Sequence, residues 1–230
     1  MTSDQPPGPL IGTGRAADVY VLDRDRVLRR YRTDYDARPE AQVMIHLAQV
    51  GFPVPRVYRA HGPDLVMERL DGPDMLADLS RRPWRVRRHA RTLARLHDRL
   101  HEIEAPPGLP GAFGPGNRLL HLDLHPGNVM LTARGPVVID WTNARAGAPG
   151  ADVAMAYLII ASSDVDDAPR WVRPAVRVVR ALLLRQFRAA VRDDPAAEIG
   201  RVARARLADP NIRPAEADRL RRLAAQAERS

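Results

Sequence analysis

One stretch of the chain concentrates chemistry: His121-Leu-Asp-Leu-His-Pro-Gly-Asn128, followed by Val137-Val-Ile-Asp-Trp141. It carries two carboxylates, Asp123 and Asp140, seventeen residues apart, and one amide, Asn128. The apolar runs Val129–Leu131 and Val137–Ile139 flank the turn-forming Ala133-Arg-Gly-Pro136, which predicts a β-hairpin. A hairpin folds its ends together, so Asp123, Asn128 and Asp140 are expected to converge. Two acids and an amide are hard oxygen donors with room for water, a set that suits Mg²⁺ better than zinc. A carboxylate left off the metal can orient a hydroxyl nucleophile. His121, Asp123 and His125 also alternate, and on a strand they would share one face as metal ligands. Pro126-Gly127 breaks any strand there, and no further histidine sits at close spacing, so a zinc hydrolase is disfavoured. His121 reads as a buried structural histidine.

Two groups of elements must position these residues. Residues 1–9 are polar and proline-rich and are expected to be disordered. Over residues 10–70, Ala17–Leu22 and Arg26–Tyr31 read as strands joined by Asp23-Arg-Asp25. Pro39 opens a helix with Glu40 in its first turn and Val43, Met44, Leu47 and Val50 at helical spacing, and Gly51 stops it. Arg56–Arg59 and Asp64–Leu70 read as further strands, giving a small α+β lobe. Residues 71–230 are expected to be mainly helical, with the chemical loop at 119–141 and variable helices at 165–230. Val86, Ala90, Leu93, His97, Leu100 and Ile103 step along one helix face, which makes His97 a core residue. Arg85, Arg87, Arg88, Arg91, Arg95 and Arg99 occupy the rest of that helix and read as a solvated face rather than a nucleic-acid stripe. Helix breaks fall near Pro169, Asp193-Asp-Pro195 and Asp209-Pro-Asn211.

Composition sets outer bounds. The chain has 230 residues, 45% hydrophobic and 28% charged, enough for one domain or two small lobes. Without cysteine it has no disulfides or thiolate chemistry. Its longest apolar run, Val153–Ala161, is too short to span a bilayer, and the start lacks a basic flank with an apolar core. A cytoplasmic protein with no membrane partner is expected. The net charge is +8, and every basic residue is arginine. Aromatic residues make up only 5%, which weakens any case for a base-stacking surface, so a nucleic-acid partner is not favoured.

The segment 121–141 resembles the catalytic segment of aminoglycoside phosphotransferases, choline kinases and related kinase-like enzymes. Their core reads His-Gly-Asp-Leu-His-Pro-Gly-Asn, and only Leu122 departs, standing where they have glycine. Gly12-x-Gly-x-x-Ala-Asp-Val-Tyr20, Phe52-Pro-Val-Pro-Arg-Val57 and Asp152-Val-Ala154 fit the wider pattern, so the resemblance covers roughly residues 10–163. It implies a protein-kinase-like two-lobe α+β fold, with a small N-terminal β-sheet lobe carrying one helix and a mainly helical C-terminal lobe. It also implies ATP and Mg²⁺ as cofactors and transfer of the γ-phosphoryl group to a hydroxyl of a small molecule. Asp123 would then accept the hydroxyl proton, and Asn128 and Asp140 would hold Mg²⁺. Gly12 and Gly14 would let the backbone lie over the phosphates. Arg29 stands where the family has lysine, paired with Glu40. Met67, Glu68 and Leu70 belong to the hinge against which adenine would stack, and Asp152 would brace the catalytic loop.

Two other readings stand beside this one: a kinase-like nucleotide-binding or regulatory module with little transfer, and a nucleic-acid-binding protein resting on charge alone. From Val165 onward fifteen arginines oppose nine acidic residues, a net of +6. That favours a sugar, nucleoside or small metabolite over a polycationic aminoglycoside. The chain is short for this family, which predicts an open acceptor site and a small substrate.

Overall fold

The computed structural model describes residues 8–14, 16–163, 169–208 and 212–227. Most of the expected disordered tail, residues 1–7, lies outside them, as do residues 164–168 and the break at Asp209-Pro-Asn211. The chain forms two compact units, one of residues 1–72 and 130–142, the other of residues 73–129 and 143–230.

The first unit is an antiparallel sheet with one helix. Its strands are β1 (Leu10–Thr13), β2 (Ala17–Val21), β3 (Arg26–Tyr31), β4 (Val57–His61) and β5 (Asp64–Glu68), in the order β1-β2-β3-β5-β4. Helix α1 (Arg38–Gln49) lies between β3 and β4 in sequence. It carries Pro39 in its first turn, buries Ala41, Val43, Met44 and Leu47, and is ended by Gly51 at φ +77°. The sequence pattern did not predict β1, whose residues are mostly exposed and lack alternation. The last strand ends at Glu68 rather than Leu70.

Residues 130–142 join this unit, although the sequence reading placed all of 71–230 together. The reason is packing. Trp141 is buried and meets Phe52 edge to face at 5.8 Å, and the Val138 N–H donates to the Pro53 carbonyl at 2.9 Å. Arg134 reaches Glu68 at 2.7 Å. Gly72, at φ +132°, leaves no room for a side chain, because a Cβ there would sit 2.2 Å from the Leu131 carbonyl oxygen.

In the second unit, α2 (Met75–Arg81) opens on an Asp74 cap that accepts from the Ala77 N–H. Helix α3 (Val86–Leu100) buries Val86, Ala90, Leu93, His97 and Leu100 along one face, with Arg87, Arg88, Arg91 and Arg95 exposed on the other. Ile103 lies beyond its end. Three short strands, β6 (Gly111–Ala112), β7 (Arg118–Leu120) and β10 (Arg145–Gly147), pair in the order β6-β10-β7. The expected hairpin appears as β8 (Val129–Thr132) and β9 (Gly135–Val138), which from Met130 on belongs to the first unit. Four helices follow: α4 (Pro149–Ser162), α5 (Arg173–Ala190), α6 (Ile199–Leu207) and α7 (Pro214–Ala227). Helix α4 is apolar nearly all round and is buried on most sides, as such a helix must be. Ala154, Met155 and Leu158 on α4 share a core with Leu120, Val202, Ala203 and Leu220. Among the described residues, no helix is long and apolar enough to cross a membrane.

Candidate active site

The sequence-selected residues fall into two clusters, one in each unit. In the first unit Arg29 projects from β3 and is nearly buried. Its Nη1 donates to Glu40 Oε1 at 3.0 Å, and its Nη2 donates to Asp140 Oδ1 at 2.7 Å. The expected Arg29–Glu40 contact is therefore made, and the planar guanidinium spans two carboxylates at once. Arg30 points the other way along the pleat and pairs with Asp64 at 2.7 Å.

Glu40 is buried and accepts from three donors: Arg29, the Tyr31 hydroxyl and the Trp141 N–H, the last at 3.1 Å. Thr142 donates its hydroxyl to Asp140 Oδ1 at 2.8 Å. Burial pushes the Glu40 carboxyl up, against the pull of Arg29. Burial also opposes the charge on Arg29, but Glu40 and Asp140 more than offset it and hold the guanidinium protonated. Asp140 sits at φ +66°, a left-handed conformation that aspartate tolerates better than most residues. Tyr31 and Thr142 were not singled out from the sequence. The position of Thr142, two residues after Asp140, was the available signal.

Gly12 lies in β1 opposite Val19, and Gly14 lies in the β1–β2 turn, which closes through a Gly14 N–H to Ala17 carbonyl bond of 2.8 Å. Arg32 donates to the Gly14 carbonyl at 2.9 Å. Met67 is paired in the sheet with Val27 and Val57. The Glu68 carboxylate is occupied by the Arg56 N–H at 3.0 Å and by Arg134 at 2.7 Å. Leu70 follows β5 and is half-buried.

In the second unit, His121 to Asn128 form a tight loop ending in a single 3-10 turn, Pro126–Asn128. Asp123 is half-buried, and its Oδ2 accepts from Asn128 Nδ2 at 3.0 Å. The same Nδ2 donates to the Asp123 carbonyl at 2.9 Å. His121 is fully buried and its Nδ1 accepts the Asp123 N–H at 3.2 Å, the structural role expected of it. His125 Nδ1 accepts the Gly127 N–H at 3.1 Å, while its Nε2 stands 3.8 Å from Asp123 Oδ1.

The loop hangs from Asp152, which is fully buried in the first turn of α4. Its Oδ1 accepts the Leu122 N–H at 2.6 Å, and its Oδ2 accepts the His121 N–H at 3.2 Å and His101 Nε2 at 3.1 Å. His101 Nδ1 lies 2.8 Å from Asp193 Oδ2. These bonds pin Leu122 at φ +59°, which costs a residue with a Cβ roughly 1–2 kcal/mol. A glycine would take that conformation freely. Here the buried Leu122 side chain, packed in the α4 core, offsets the strain.

Burial alone would lower the His101 pKa, but the hydrogen bonds that the ring donates to Asp152 and Asp193 outweigh it and raise the ring to about 9. Asp152 is pulled below the usual carboxylate range, because His101 overcomes the upward push of burial. His97, one helical turn from His101, is fully buried with neither ring nitrogen hydrogen-bonded among the described residues, and burial depresses it to about 3.

The two histidines give opposite pH dependences. A raised base stabilises the fold below its unfolded pKa of ~6.5, and that contribution is lost as pH climbs through about 9. For His101 the contribution is on the order of 3 kcal/mol. A depressed base favours the fold while neutral, so His97 withdraws stability as pH falls below ~6.5 towards 3. Denaturant unfolding at a series of pH values is expected to show greatest stability near neutrality. In His101→Gln the decline between ~6.5 and 9 should vanish; an unchanged decline would contradict the charged His101 bridge.

A family model described as the phosphotransferase enzyme family matches residues 9–116 and 106–229. No curated protein matches the chain significantly. Among solved structures, a choline/ethanolamine kinase family protein from Mesorhizobium loti is 15% identical, with a TM-score of 0.58 over 99% of this chain and 89% of that one. An aminoglycoside-3'-phosphotransferase of type VIII is 17% identical, with a TM-score of 0.57 over 97% and 94%. The amicoumacin kinase hAmiN, in complex with AMP-PNP, Ca²⁺ and Ami, is 13% identical, with a TM-score of 0.54 over 98% and 89%. These likenesses establish the kinase-like α+β fold expected from the sequence. The family match spans both units and nearly every described residue, so this chain belongs to the phosphotransferase enzyme family.

Proposed function

We propose that the chain moves the γ-phosphoryl group of ATP to a hydroxyl of a small molecule, with Asp123 as the base and Asn128 and Asp140 as the Mg²⁺ ligands. The observation that carries this reading is the Arg29 fork. It brings a strand cation, a helix carboxylate and the carboxylate that follows the hairpin into one ion-paired group. Family membership supplies the reaction class, and the amicoumacin kinase complex with AMP-PNP and Ca²⁺ supports a nucleotide–metal pair.

The donor chemistry fits Mg²⁺. Asp140 offers a carboxylate, a hard oxygen donor, whose Oδ1 meets Arg29 and Thr142. Asn128 turns its Nδ2 to Asp123, which directs the hard Oδ1 to the opposite side of the amide. When bound, the metal neutralises charge on the phosphates.

The rest is done by side chains and backbone. Asn128 fixes one oxygen of Asp123, and the other oxygen accepts the acceptor's hydroxyl proton. As that proton leaves, the acceptor oxygen bonds to the γ-phosphorus, the β,γ-bridging P–O bond breaks, and ADP departs with the bonding electrons. The Gly12–Gly14 turn would cover the phosphates. Met67, Glu68 and Leu70 would border adenine, with Glu68 contributing backbone because its carboxylate is occupied.

One observation favours the module reading. Both Nη atoms of Arg29 are engaged by carboxylates where related enzymes have a compact ammonium. Label transfer from γ-labelled ATP by the native chain and by Arg29→Lys separates the two. A working arginine predicts at least a tenfold loss of kcat/KM in the variant, because an ammonium cannot bridge Glu40 and Asp140 as a fork. A gain of activity would mark the native chain as a binding module.

A further inference from the structure

The second unit contains a cavity of about 330 Å³ that begins at the catalytic loop. His125 and Pro126 form one wall, and the His125 N–H donates to the Asp123 carbonyl at 3.0 Å. Leu76 and Leu79 of α2, Ile159 of α4, and Val176, Val179 and Leu183 of α5 form the others. The volume is near the lower end of small-molecule sites, roughly 300–1,000 Å³.

Its described lining is mainly aliphatic. No aspartate or glutamate is among the described residues lining it, so α2, α4 and α5 present a ligand there with side chains that carry no negative charge. The one arginine on the wall, Arg180, donates to the Ser163 carbonyl at 2.8 Å. His125, Ser80 and Ser163 supply the remaining polarity among the described lining residues. Leu76 is 53% exposed beside this space, so an apolar ligand there would remove leucine surface from water as well as its own.

We propose that this cavity is the acceptor site and that the acceptor is an uncharged molecule with an apolar body and a terminal hydroxyl. The hydroxyl is delivered to Asp123 across His125-Pro126 while the body lies against α2, α4 and α5. This rests on the phosphotransferase reading and narrows its substrate class. The transfer is balanced as above: the acceptor O–P bond replaces the β,γ-bridging P–O bond, and the hydroxyl proton passes to Asp123.

The test is transfer from γ-labelled ATP to ethanol, butanol, hexanol and octanol, with an aminoglycoside alongside. Burial of each added methylene should lower KM about threefold to fourfold until the cavity is full. Val176→Asp, and the more exposed Leu76→Asp, should each raise the octanol KM at least tenfold. A MgATP-induced rise in melting temperature reports separately that each variant is folded. Transfer that is flat with chain length, or that favours the aminoglycoside, with both variants like the native chain, would overturn the apolar acceptor site and leave the phosphotransferase reading standing. Chain-length-dependent alcohol binding by calorimetry without any transfer would instead remove the phosphotransferase reading and the acceptor role with it.

Discussion

Asp123→Asn is expected to lower kcat for phosphoryl transfer by roughly 10²–10⁴-fold while leaving the fold intact. Asparagine keeps the size of the side chain and can still meet Asn128, whose amide faces Asp123 Oδ2 at 3.0 Å. What it cannot do is accept the hydroxyl proton. KM for ATP should change little, because the lost interaction forms only as the proton moves. Steady-state transfer assays on both proteins decide the matter. A variant within about twofold of the native rate would exclude Asp123 as the base, even with nucleotide still bound, since general bases contribute far more.

The second large effect concerns stability. Asp152→Asn should cost about 3–5 kcal/mol, the range for breaking a buried ion pair by removing one partner. Asp152 is fully buried and takes three hydrogen bonds, two from the backbone of the catalytic loop and one from His101. An asparagine amide group would set its own N–H donors against one side of that arrangement. For a chain of this size the loss corresponds to a drop in melting temperature of about 10 °C. With its buried partner gone, His101 should also lose much of its raised pKa, so stability should become nearly independent of pH between ~6.5 and 9. The loop should loosen with it, because Leu122 at φ +59° is held by the Asp152 bond to its N–H. Calorimetric melting at two pH values reads both consequences. A drop of less than ~2 °C would show that the buried bridge is not what holds the loop.

Much of this arrangement was legible from local sequence. The eight-residue run from His121 to Asn128 has Pro126-Gly127 near its end, so a turn rather than a strand was dictated there by backbone chemistry. The Arg29–Glu40 pair was legible only through the family resemblance, which sets a basic strand residue against a first-turn helix glutamate. His97 was legible as core from its place on the apolar face of α3.

Other features depend on contacts that no local pattern encodes. His101 finds Asp193 ninety-two residues away, and neither residue stands in a motif. Strands β6, β7 and β10 are two or three residues long, too short for alternation to show. The grouping of residues 130–142 with the first unit follows from the fit of Trp141 against Phe52, across nearly ninety residues of chain. The apolar cavity required three helices to be placed before its lining could be read. Regional charge pointed away from a polycation, but only the packed helices revealed a wall of aliphatic side chains.

The most direct test of metal-dependent nucleotide use is thermal unfolding with ATP, with and without Mg²⁺, on the native chain and on Asp140→Ala. Ligand at 100 times its Kd adds about 2.7 kcal/mol, which for a chain of this size is a rise of roughly 5–10 °C. The phosphotransferase assignment predicts that rise only with Mg²⁺ present, and its loss in Asp140→Ala. No rise in the native chain, or an equal Mg²⁺-dependent rise in the variant, would contradict it.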